Sequence, residues 1–352
     1  MEQRSQGKIN QSEKVADPGL GGLLRINNAY WRSSILHAAV KLGICSALGE
    51  DELSAEEVAS RCGTDARATE VLLVAMLGLG LVEKRDSRYS NGPTARRYLV
   101  QGKPDYLGDL VSFLASMWSN WGRLADVVRS GRCTDEALGP GGRADIERMD
   151  DASLRGFILA MHNLAMAQAV NLAKSLDLTG KNRLYDIGGG PGTYSIAACQ
   201  LNPQLAAVVF DLPRVLLIAK DIIARFGLSD RITTQPGDFT VDSFGGNNDV
   251  ILLSKVLHQE CPDTCLSIFK RAFEALNPGG LIVVHGELLD DERQGPELAA
   301  MFGVQTLLSC PQGGVYTHAE LKAWMQMAGF TTPEDRWLPG QVSAVIARKP
   351  SG

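Results

Sequence analysis

A glycine-rich segment with an acidic residue beside it is the clearest chemical signal in this sequence. The text "LYDIGGGPGTYS" has the pattern of a strand that ends near Asp186, a tight loop containing Gly188 and Gly190, and the first turn of a helix. Glycines at these positions allow the backbone to approach a ligand closely. Their spacing is G-x-G-x-G, not the G-x-G-x-x-G of dinucleotide-binding enzymes. The Asp186 carboxylate suits a cationic ammonium or sulfonium group better than a pyrophosphate.

Two further acidic positions follow the glycine loop in the order that a nucleoside ligand requires. Asp211 ends the strand-like text "AVVFDL", about 20 residues beyond the loop, where an acid binds a ribose diol. The text "QPGDF" brings Gly237, Asp238 and Phe239 together, and an aspartate accepts a hydrogen bond from an adenine amino group while an aromatic ring covers its face. This order predicts S-adenosylmethionine (SAM) as cofactor. A nicotinamide cofactor is the alternative, and the glycine spacing disfavours it.

His258 is the candidate for acid–base chemistry. It follows the buried-strand pattern "DVILLSKV", and in the later text "LIVVHGEL" strand alternation places Val283, His285 and Glu287 on one face. Glu287 would orient the imidazole through one nitrogen and leave the other as an acceptor. A phenol has a pKa of ~10, so a base with a pKa near 6–7 would assist its reaction by ~10²–10⁴-fold. His285 is expected to be a buried sheet residue.

Two other roles for His258 stay open. With Cys261 and Cys265 it has the i, i+3, i+7 spacing of metal ligands on one helix face. Pro262, however, predicts that a new helix begins there, which breaks that face, so no metal is predicted. A histidine that only packs is the remaining alternative.

The two halves of the chain have different patterns. From residue 183 onward short apolar runs alternate with helical stretches, which predicts a parallel sheet with helices on both faces and a ligand at the carboxyl ends of the strands. The first half predicts three helices and a hairpin, the order of a winged-helix unit, with a capping box from Ser54 to Glu57 and a helix end at Gly63. We expect one domain over residues 1–110 and a helical linker with the cofactor domain over 111–352.

DNA binding is the function that a winged helix first suggests. The helix that would read bases, "ATEVLLVAMLGLGL", is almost entirely aliphatic, and the first 100 residues carry 13 Lys and Arg against 12 Asp and Glu. An apolar helix is better explained as a surface buried against a second copy of the chain. The sequence therefore predicts a homodimer and no nucleic-acid partner.

These motifs together resemble the SAM-dependent O-methyltransferases of the caffeate and acetylserotonin type, which include bacterial tailoring enzymes. The resemblance covers nearly the whole chain and includes "DIGGGPG", "FDLP", "GDF", "SKVLH", "ALNPGG" and "THAELKAWMQMAGF". It implies an α/β fold: a Rossmann-like SAM-binding domain with an N-terminal α-helical winged-helix dimerisation domain. It also implies that His258 is the catalytic base and that Glu287 orients it. The predicted cofactor-binding residues are Asp186, Gly188, Gly190, Asp211, Leu212, Gly237, Asp238, Phe239, Ser254 and Lys255.

The sequence departs from the family pattern at two places. The family usually has His-Asp-Trp where this chain has His258, Gln259 and Glu260, and Val315 stands where plant enzymes carry a second glutamate. C-methylation, or SAM binding without methyl transfer, therefore stays open beside O-methylation.

The acceptor is expected between the helix containing "FILAMHNLAM" and the segment "MFGVQTLLSCP". Few charges occur there, which predicts a flat aromatic or polyketide-like acceptor. The predicted pocket walls are Phe157, Met161, His162, Phe302, Thr306 and Cys310.

Composition restricts the setting. The net charge is −5 and shows no basic surplus, the N-terminal text lacks a signal-peptide core, and no uncharged apolar run reaches the ~18 residues of a membrane helix. Seven dispersed cysteines predict reduced thiols. We therefore expect a cytoplasmic protein with no membrane partner.

Overall fold

The computed structural model describes residues 17–133, 143–310 and 312–351, which fall into two compact units divided between Ser116 and Met117. The predicted boundary at residue 110 lies close to this division. The expected α/β fold with a helical N-terminal unit is confirmed.

The N-terminal unit is helical with one hairpin. Its elements are α1 (Gly19–Asn27), α2 (Ala29–Lys41), α3 (Ile44–Leu48), α4 (Ala55–Cys62), α5 (Ala66–Gly78), β1 (Val82–Arg85), β2 (Arg88–Asn91), α6 (Pro93–Tyr98) and α7 (Gly108–Ser116). The predicted capping box is present, since Ser54 and Glu57 satisfy each other's backbone amides at the start of α4. Residues 23–48 fall in three helices, α1 to α3, which are interrupted at Asn28 and at Gly43, whose φ is 70°.

The C-terminal unit contains the large sheet. Its elements are α8 (Trp118–Gly122), α9 (Leu124–Ser130), α10 (Arg143–Arg148), α11 (Asp151–Ser175), β3 (Arg183–Ile187), α12 (Thr193–Leu201), β4 (Ala206–Asp211), α13 (Pro213–Arg225), β5 (Ile232–Pro236), β6 (Asn248–Ser254), α14 (Pro262–Ala275), β7 (Leu276–Gly286), α15 (Glu297–Ser309), α16 (His318–Met327), β8 (Thr331–Leu338) and β9 (Val342–Arg348).

The seven strands have the order β5-β4-β3-β6-β7-β9-β8. Strands β3 to β7 are parallel, and β8 and β9 extend the sheet as antiparallel strands. Strands β4 and β5 are added in sequence on one side of β3, and β6 then pairs with the other side of β3. This reversal makes the carboxyl ends of β3 and β6 the expected ligand crevice of such a sheet.

Two apolar clusters cover the sheet. On one face, residues of α11, α12 and α13 pack against alternate residues of the strands. On the other face, residues of α14 and α16 pack against the strand residues that point the opposite way. Helix α11 is long and apolar enough to cross a membrane by length and composition, and Leu154, Ile158 and Leu172 on it are buried in the first cluster. Its apolar character therefore has an explanation in core packing.

Candidate active site

The site is assembled where the parallel strands end. Asp186 lies at the end of β3 and Asp211 at the end of β4, while Gly237 follows β5, Ser254 ends β6 and Glu287 follows β7. Because all five strands are parallel, these positions meet at one edge of the sheet. Sequence positions up to 101 residues apart thereby contribute to a single region.

A side chain at position 188 of the glycine loop would be excluded by its surroundings and by the backbone conformation. The φ of Gly188 is 63°, its N–H donates to the carbonyl of Phe210 over 2.8 Å, and a Cβ added there would lie 2.7 Å from Cγ2 of Val256. The loop thus runs against the turn that follows β6. This contact joins the predicted cofactor loop to the segment that carries His258.

Asp186 is buried beside this loop with one carboxylate oxygen unused. Oδ2 accepts a 2.7 Å hydrogen bond from the Ser195 hydroxyl, whereas Oδ1 has no partner among the described residues. Burial raises the pKa of Asp186 to about 7, against the lowering effect of the Ser195 hydrogen bond. A buried, unsatisfied acceptor of this kind is suited to a cationic donor from a ligand.

Asp211 braces the loop in addition to its predicted role. Its Oδ2 accepts from the N–H of Gly190 and its Oδ1 from the N–H of Leu212, both over 2.7 Å. Burial raises its pKa to about 6, and these two amide hydrogen bonds oppose the rise. Each carboxylate oxygen retains a lone pair, so ribose binding by Asp211 stays a prediction.

Asp238 and Phe239 follow β5 in the turn after Gly237. Asp238 Oδ1 accepts from the Thr240 N–H over 2.9 Å and from its hydroxyl over 2.6 Å, which fixes the turn after β5. Gly237 is required for close packing, because an added Cβ would lie 2.3 Å from the Phe210 ring. The Phe239 ring would be 3.6 Å from a Cβ at Gly188, so it adjoins the loop as a covering ring must.

His258 lines a cavity at the ends of β6 and β7. The cavity is lined by Leu253, Lys255, Val256, Leu257, His258, Val284, His285, Gly286, Glu287, Leu288, Phe302, Gly314, Val315, Tyr316 and Leu321. It reaches the cofactor loop through Val256, which contacts Gly188. The cavity thus combines apolar walls with a few ionisable groups, the usual character of a small-molecule site.

The position of His258 is fixed by backbone contacts. It lies in a 3₁₀ turn, Leu257–Gln259, and its carbonyl accepts from the N–H of Gly314 over 3.0 Å. Its ring packs edge-on against Phe302 with centroids 4.8 Å apart. Burial lowers the pKa of His258 to about 4, which is below the 6–7 expected from the sequence, so the ring is neutral at physiological pH.

Glu287 has a different hydrogen-bond partner from the one that the sequence suggested. Its Oε1 accepts from Nζ of Lys255 in a buried ion pair, while Oε2 has no partner among the described residues. The described contacts of Glu287 do not include the His258 ring, and Oε2 is left without a partner, so the orienting role of Glu287 stays a prediction. Burial raises the pKa of Glu287, but Lys255 more than offsets this and leaves it below its usual value.

Ser254 and His285 form a buried pair that the sequence did not indicate. The Ser254 hydroxyl lies 2.9 Å from Nδ1 of His285, and the ring of Tyr194 is 5.2 Å from the imidazole. Burial lowers the pKa of His285 to about 3. His285 is a buried sheet residue as expected, and it also lines the cavity. The strand alternation that placed it on the same face as Glu287 was the available signal.

Of the six predicted acceptor walls, Phe302 is the one in the described lining of this cavity. Phe302 lines the cavity beside His258, and Thr306 and Cys310 are buried on or directly after α15, where the Thr306 hydroxyl bonds the Phe302 carbonyl over 2.9 Å. On α11, Phe157 packs against the first apolar cluster and Met161 is half-buried.

His162, the remaining predicted wall, bonds the Thr193 hydroxyl over 2.8 Å at the start of α12. The described lining of this cavity comes from β6, β7, α15 and the segments that follow them, so the wall from α11 stays a prediction. Tyr316 was missed because no local pattern marks it, and Val315 was indicated only by the family resemblance.

The metal alternative receives no support from the geometry. Helix α14 begins at Pro262, as the sequence predicted, and the Cys265 thiol points back to the carbonyl of Leu257 over 3.6 Å. Among the described residues there is no group of three His, Cys, Asp or Glu side chains arranged to hold a metal ion.

Comparison with known proteins gives consistent similarities. Residues 121–331 match the model of the O-methyltransferase domain, and residues 24–101 match that of the O-methyltransferase dimerisation domain. The chain is 35% identical to 3-hydroxy-5-methyl-1-naphthoate 3-O-methyltransferase of Streptomyces sahachiroi, over 85% of this chain and 86% of that protein. It is 30% identical to the tetracenomycin polyketide synthesis 8-O-methyl transferase TcmO of Streptomyces glaucescens, over 94% of this chain and 97% of that protein.

Among solved structures, human N-acetylserotonin methyltransferase in complex with SAM superposes with a TM-score of 0.84 at 26% identity. The match covers 96% of this chain and 100% of that chain.

Proposed function

Because the chain belongs to the O-methyltransferase family, we propose that it transfers a methyl group from SAM to a hydroxyl of a small aromatic or polyketide-like acceptor. The chain is a SAM-dependent methyltransferase, and the two bacterial relatives act on a naphthoate and in polyketide synthesis by their names. The observation that carries the proposal is the cavity in which His258, Glu287 and Phe302 meet next to the glycine loop.

The residues around the glycine loop fit SAM. The unpartnered Oδ1 of Asp186 is available to the ammonium of the methionine part, and Asp211 has a free lone pair for the ribose hydroxyls. Phe239 adjoins the loop, where an adenine ring needs cover. The remaining cofactor residues in our proposal are Gly188, Gly190, Leu212, Gly237, Asp238 and Ser254.

When bound, the cofactor supplies an electrophilic methyl group on a sulfonium centre. His258 accepts the proton of the acceptor hydroxyl on a ring nitrogen, and neither ring nitrogen has a hydrogen-bond partner among the described residues. Because its pKa is about 4, the imidazole is neutral and keeps a free lone pair at physiological pH. A base this weak takes a phenolic proton as the oxygen loses electron density in the transition state, so proton removal is coupled to bond formation.

The walls of the cavity favour a flat acceptor. Phe302 presents its ring to His258, and Leu288, Val315 and Tyr316 add apolar surface. Val315 contributes an aliphatic side chain where plant relatives are expected to carry a glutamate, so acid–base chemistry in the cavity rests on His258 and its ionic neighbours. A planar aromatic ring fits such walls better than a sugar or peptide.

A screen with labelled cofactor tests the proposal. The protein is incubated with [methyl-¹³C]SAM and a panel of hydroxynaphthoates, anthraquinones and simple phenols, and the products are examined by NMR. We expect a methyl ether carbon in at least one product. A methyl group attached to ring carbon throughout the panel would reassign the enzyme to C-methylation, and the same panel with His258→Ala identifies turnover that depends on this site.

We infer that the chain acts as a cytoplasmic homodimer. The dimerisation model covers residues 24–101, and apolar side chains on α1, α2 and α5 are exposed, among them Leu20 at 74%, Trp31 at 56% and Val71 at 62%. The seven cysteines are free thiols, as a reducing compartment requires. The winged-helix assignment and the absence of a DNA role stay predictions, and light scattering with a gel-shift series at physiological salt tests both.

A further inference from the structure

The segment between β5 and β6 carries the two residues that we place beside the adenine of SAM, and we call residues 237–244 the adenine turn. The N–H of Asp238 donates to Oδ2 of Asp242 over 2.8 Å, and the N–H of Asp242 donates to the carbonyl of Asp238 over 2.8 Å. The adenine turn lies outside the helices and strands. Its shape therefore depends on local bonds of this kind and on side chains that reach it from elsewhere.

Arg271 of α14 reaches the adenine turn with both ends of its guanidinium. Nη2 donates to the carbonyl of Phe239 over 2.7 Å and to that of Thr240 over 3.1 Å, and Nη1 donates to the carbonyl of Asp242. A guanidinium presents its N–H donors in a rigid planar fork. One side chain thereby holds backbone carbonyls at three positions of the turn.

The plane of this fork is supported by Phe244, at the far end of the adenine turn. Cζ of Arg271 lies 4.8 Å from the centroid of the Phe244 ring. That ring is buried and packs against the rings of Phe210 and Tyr185, with centroids 5.8 and 6.3 Å away. Phe210 is also the ring that excludes a side chain at Gly237. Both ends of the adenine turn are therefore anchored on the same buried aromatic cluster.

The helix that carries Arg271 also contacts the histidine turn. Helix α14 begins at Pro262, and the thiol of Cys265 on its first part points to the carbonyl of Leu257 over 3.6 Å. Arg271 lies further along the same helix. One rigid element thus supports the turn that contains His258 and, through Arg271, the adenine turn.

We propose that Arg271 is a positioning residue for the cofactor, whose guanidinium holds the adenine turn in the conformation that binds adenine. The inference rests on the proposed function, in which Asp238 accepts from the adenine amino group and Phe239 covers the ring. Arg271 acts through the backbone, because the peptide units that it engages set the direction of these two side chains. The glycine loop keeps its own hydrogen bond from Gly188 to Phe210 without it.

A pair of ligands that differ at the adenine edge separates this role from general support of the fold. In the hypoxanthine analogue of S-adenosylhomocysteine, the amino group is replaced by a carbonyl and the adjacent ring nitrogen gains a hydrogen. An acidic acceptor at that edge discriminates between the two ligands. Calorimetric titration gives a dissociation constant for each, and their ratio is the adenine preference. Loss of stability lowers both affinities alike, whereas displacement of the adenine turn lowers the ratio.

Three variants isolate the fork. Arg271→Met keeps the apolar stem, and Arg271→Lys keeps a positive charge near Phe244 but lacks the planar fork. Arg231→Met is the matched control, because Arg231 also binds several backbone carbonyls but does so at the amino ends of β4 and β5, away from the site. Those carbonyls belong to Cys199, Asn202, Pro203 and Leu205.

We expect the wild-type protein to prefer adenine by about tenfold or more. In both Arg271 variants the affinity for S-adenosylhomocysteine should fall by about tenfold, and the adenine preference should fall to about threefold or less. Arg231→Met should unfold at a lower temperature and keep the wild-type affinity and preference. Thermal unfolding of all the variants shows which of them are folded, and Arg271→Lys alone decides the outcome if Arg271→Met does not fold.

The wild-type affinity and preference in the Arg271 variants would overturn the inference. An equal loss of affinity for both ligands, with the preference intact, would also overturn it and leave Arg271 with a structural role alone. A wild-type protein without an adenine preference would remove the placement of adenine on which the inference rests. None of these titrations requires turnover, so their outcome is distinct from a failure to find a methyl ether in the screen.

Discussion

The glycine loop and the histidine cavity lie at the same sheet edge but are held in different ways. The loop is fixed by backbone groups: Gly188 donates to a carbonyl of β4, and Asp211 accepts two backbone amides. The cavity depends on side chains from two neighbouring strands, in which Lys255 engages Glu287 and Ser254 engages His285. Substitutions at the loop should therefore alter SAM affinity, and substitutions at the cavity should alter turnover.

The largest effect is expected at Gly188. In Gly188→Val the side chain would meet Val256 at under 3 Å and close the loop, so SAM affinity should fall by more than ~10²-fold. Gly227→Val is the matched control, because its φ of 67° imposes the same backbone strain while nothing lies within 4 Å of the added Cβ. Calorimetric titration with SAM measures both. Equal losses in the two variants would show that strain, not contact, is responsible.

Gly313→Ala should lower turnover without a loss of cofactor. A Cβ there would lie 2.1 Å from the carbonyl oxygen of His258, a backbone atom that has little freedom to move away. Displacement of the histidine turn by ~1 Å should lower kcat by up to ~10²-fold with SAM affinity nearly intact. Gly246→Ala, with open space around the added Cβ, serves as the control. A kcat at the wild-type level in Gly313→Ala would show that the turn tolerates displacement.

Asp211→Ala should affect the cofactor side alone. Loss of a charged acceptor for the ribose hydroxyls, together with the loss of the brace on Gly190, should weaken SAM binding by ~1–3 kcal/mol. Asp221→Ala is the control, since this aspartate pairs with Arg155 on the surface of α13. Binding of SAM to Asp211→Ala with the wild-type dissociation constant would place the ribose elsewhere.

The smallest predicted change is the pH dependence of SAM binding through Asp186. Its pKa is raised to about 7, so the carboxyl is protonated in the free protein below that pH and must ionise to bind a cation. SAM affinity should therefore rise with pH, by at most about tenfold per unit, and level off above pH 7. Asp186→Asn, which preserves a partner for Ser195, should bind more weakly and lose this slope. Parallel slopes for both proteins would assign the titration to another group.

The two regions also differ in how far the sequence predicted them. The sheet, the glycine loop and the positions of Asp211 and Phe239 followed from local patterns, because strand ends, glycines and the acid after each strand are adjacent in the chain. The partner of Glu287 did not follow, since Lys255 lies 32 residues away and reaches it only through the register of β6 and β7. The wall predicted from α11 stays a prediction, because an apolar helix has the same pattern whether it faces a ligand or the core.

His258→Ala tests the central claim, that His258 in this cavity is the base for methyl transfer. SAM affinity by calorimetry and turnover with an acceptor from the screen are measured on the same preparation. We predict an unchanged SAM dissociation constant and a kcat lower by ~10²-fold or more, with loss of the acidic limb of the pH profile. Turnover at the wild-type rate would contradict the account and leave positioning of the acceptor alone as the source of catalysis.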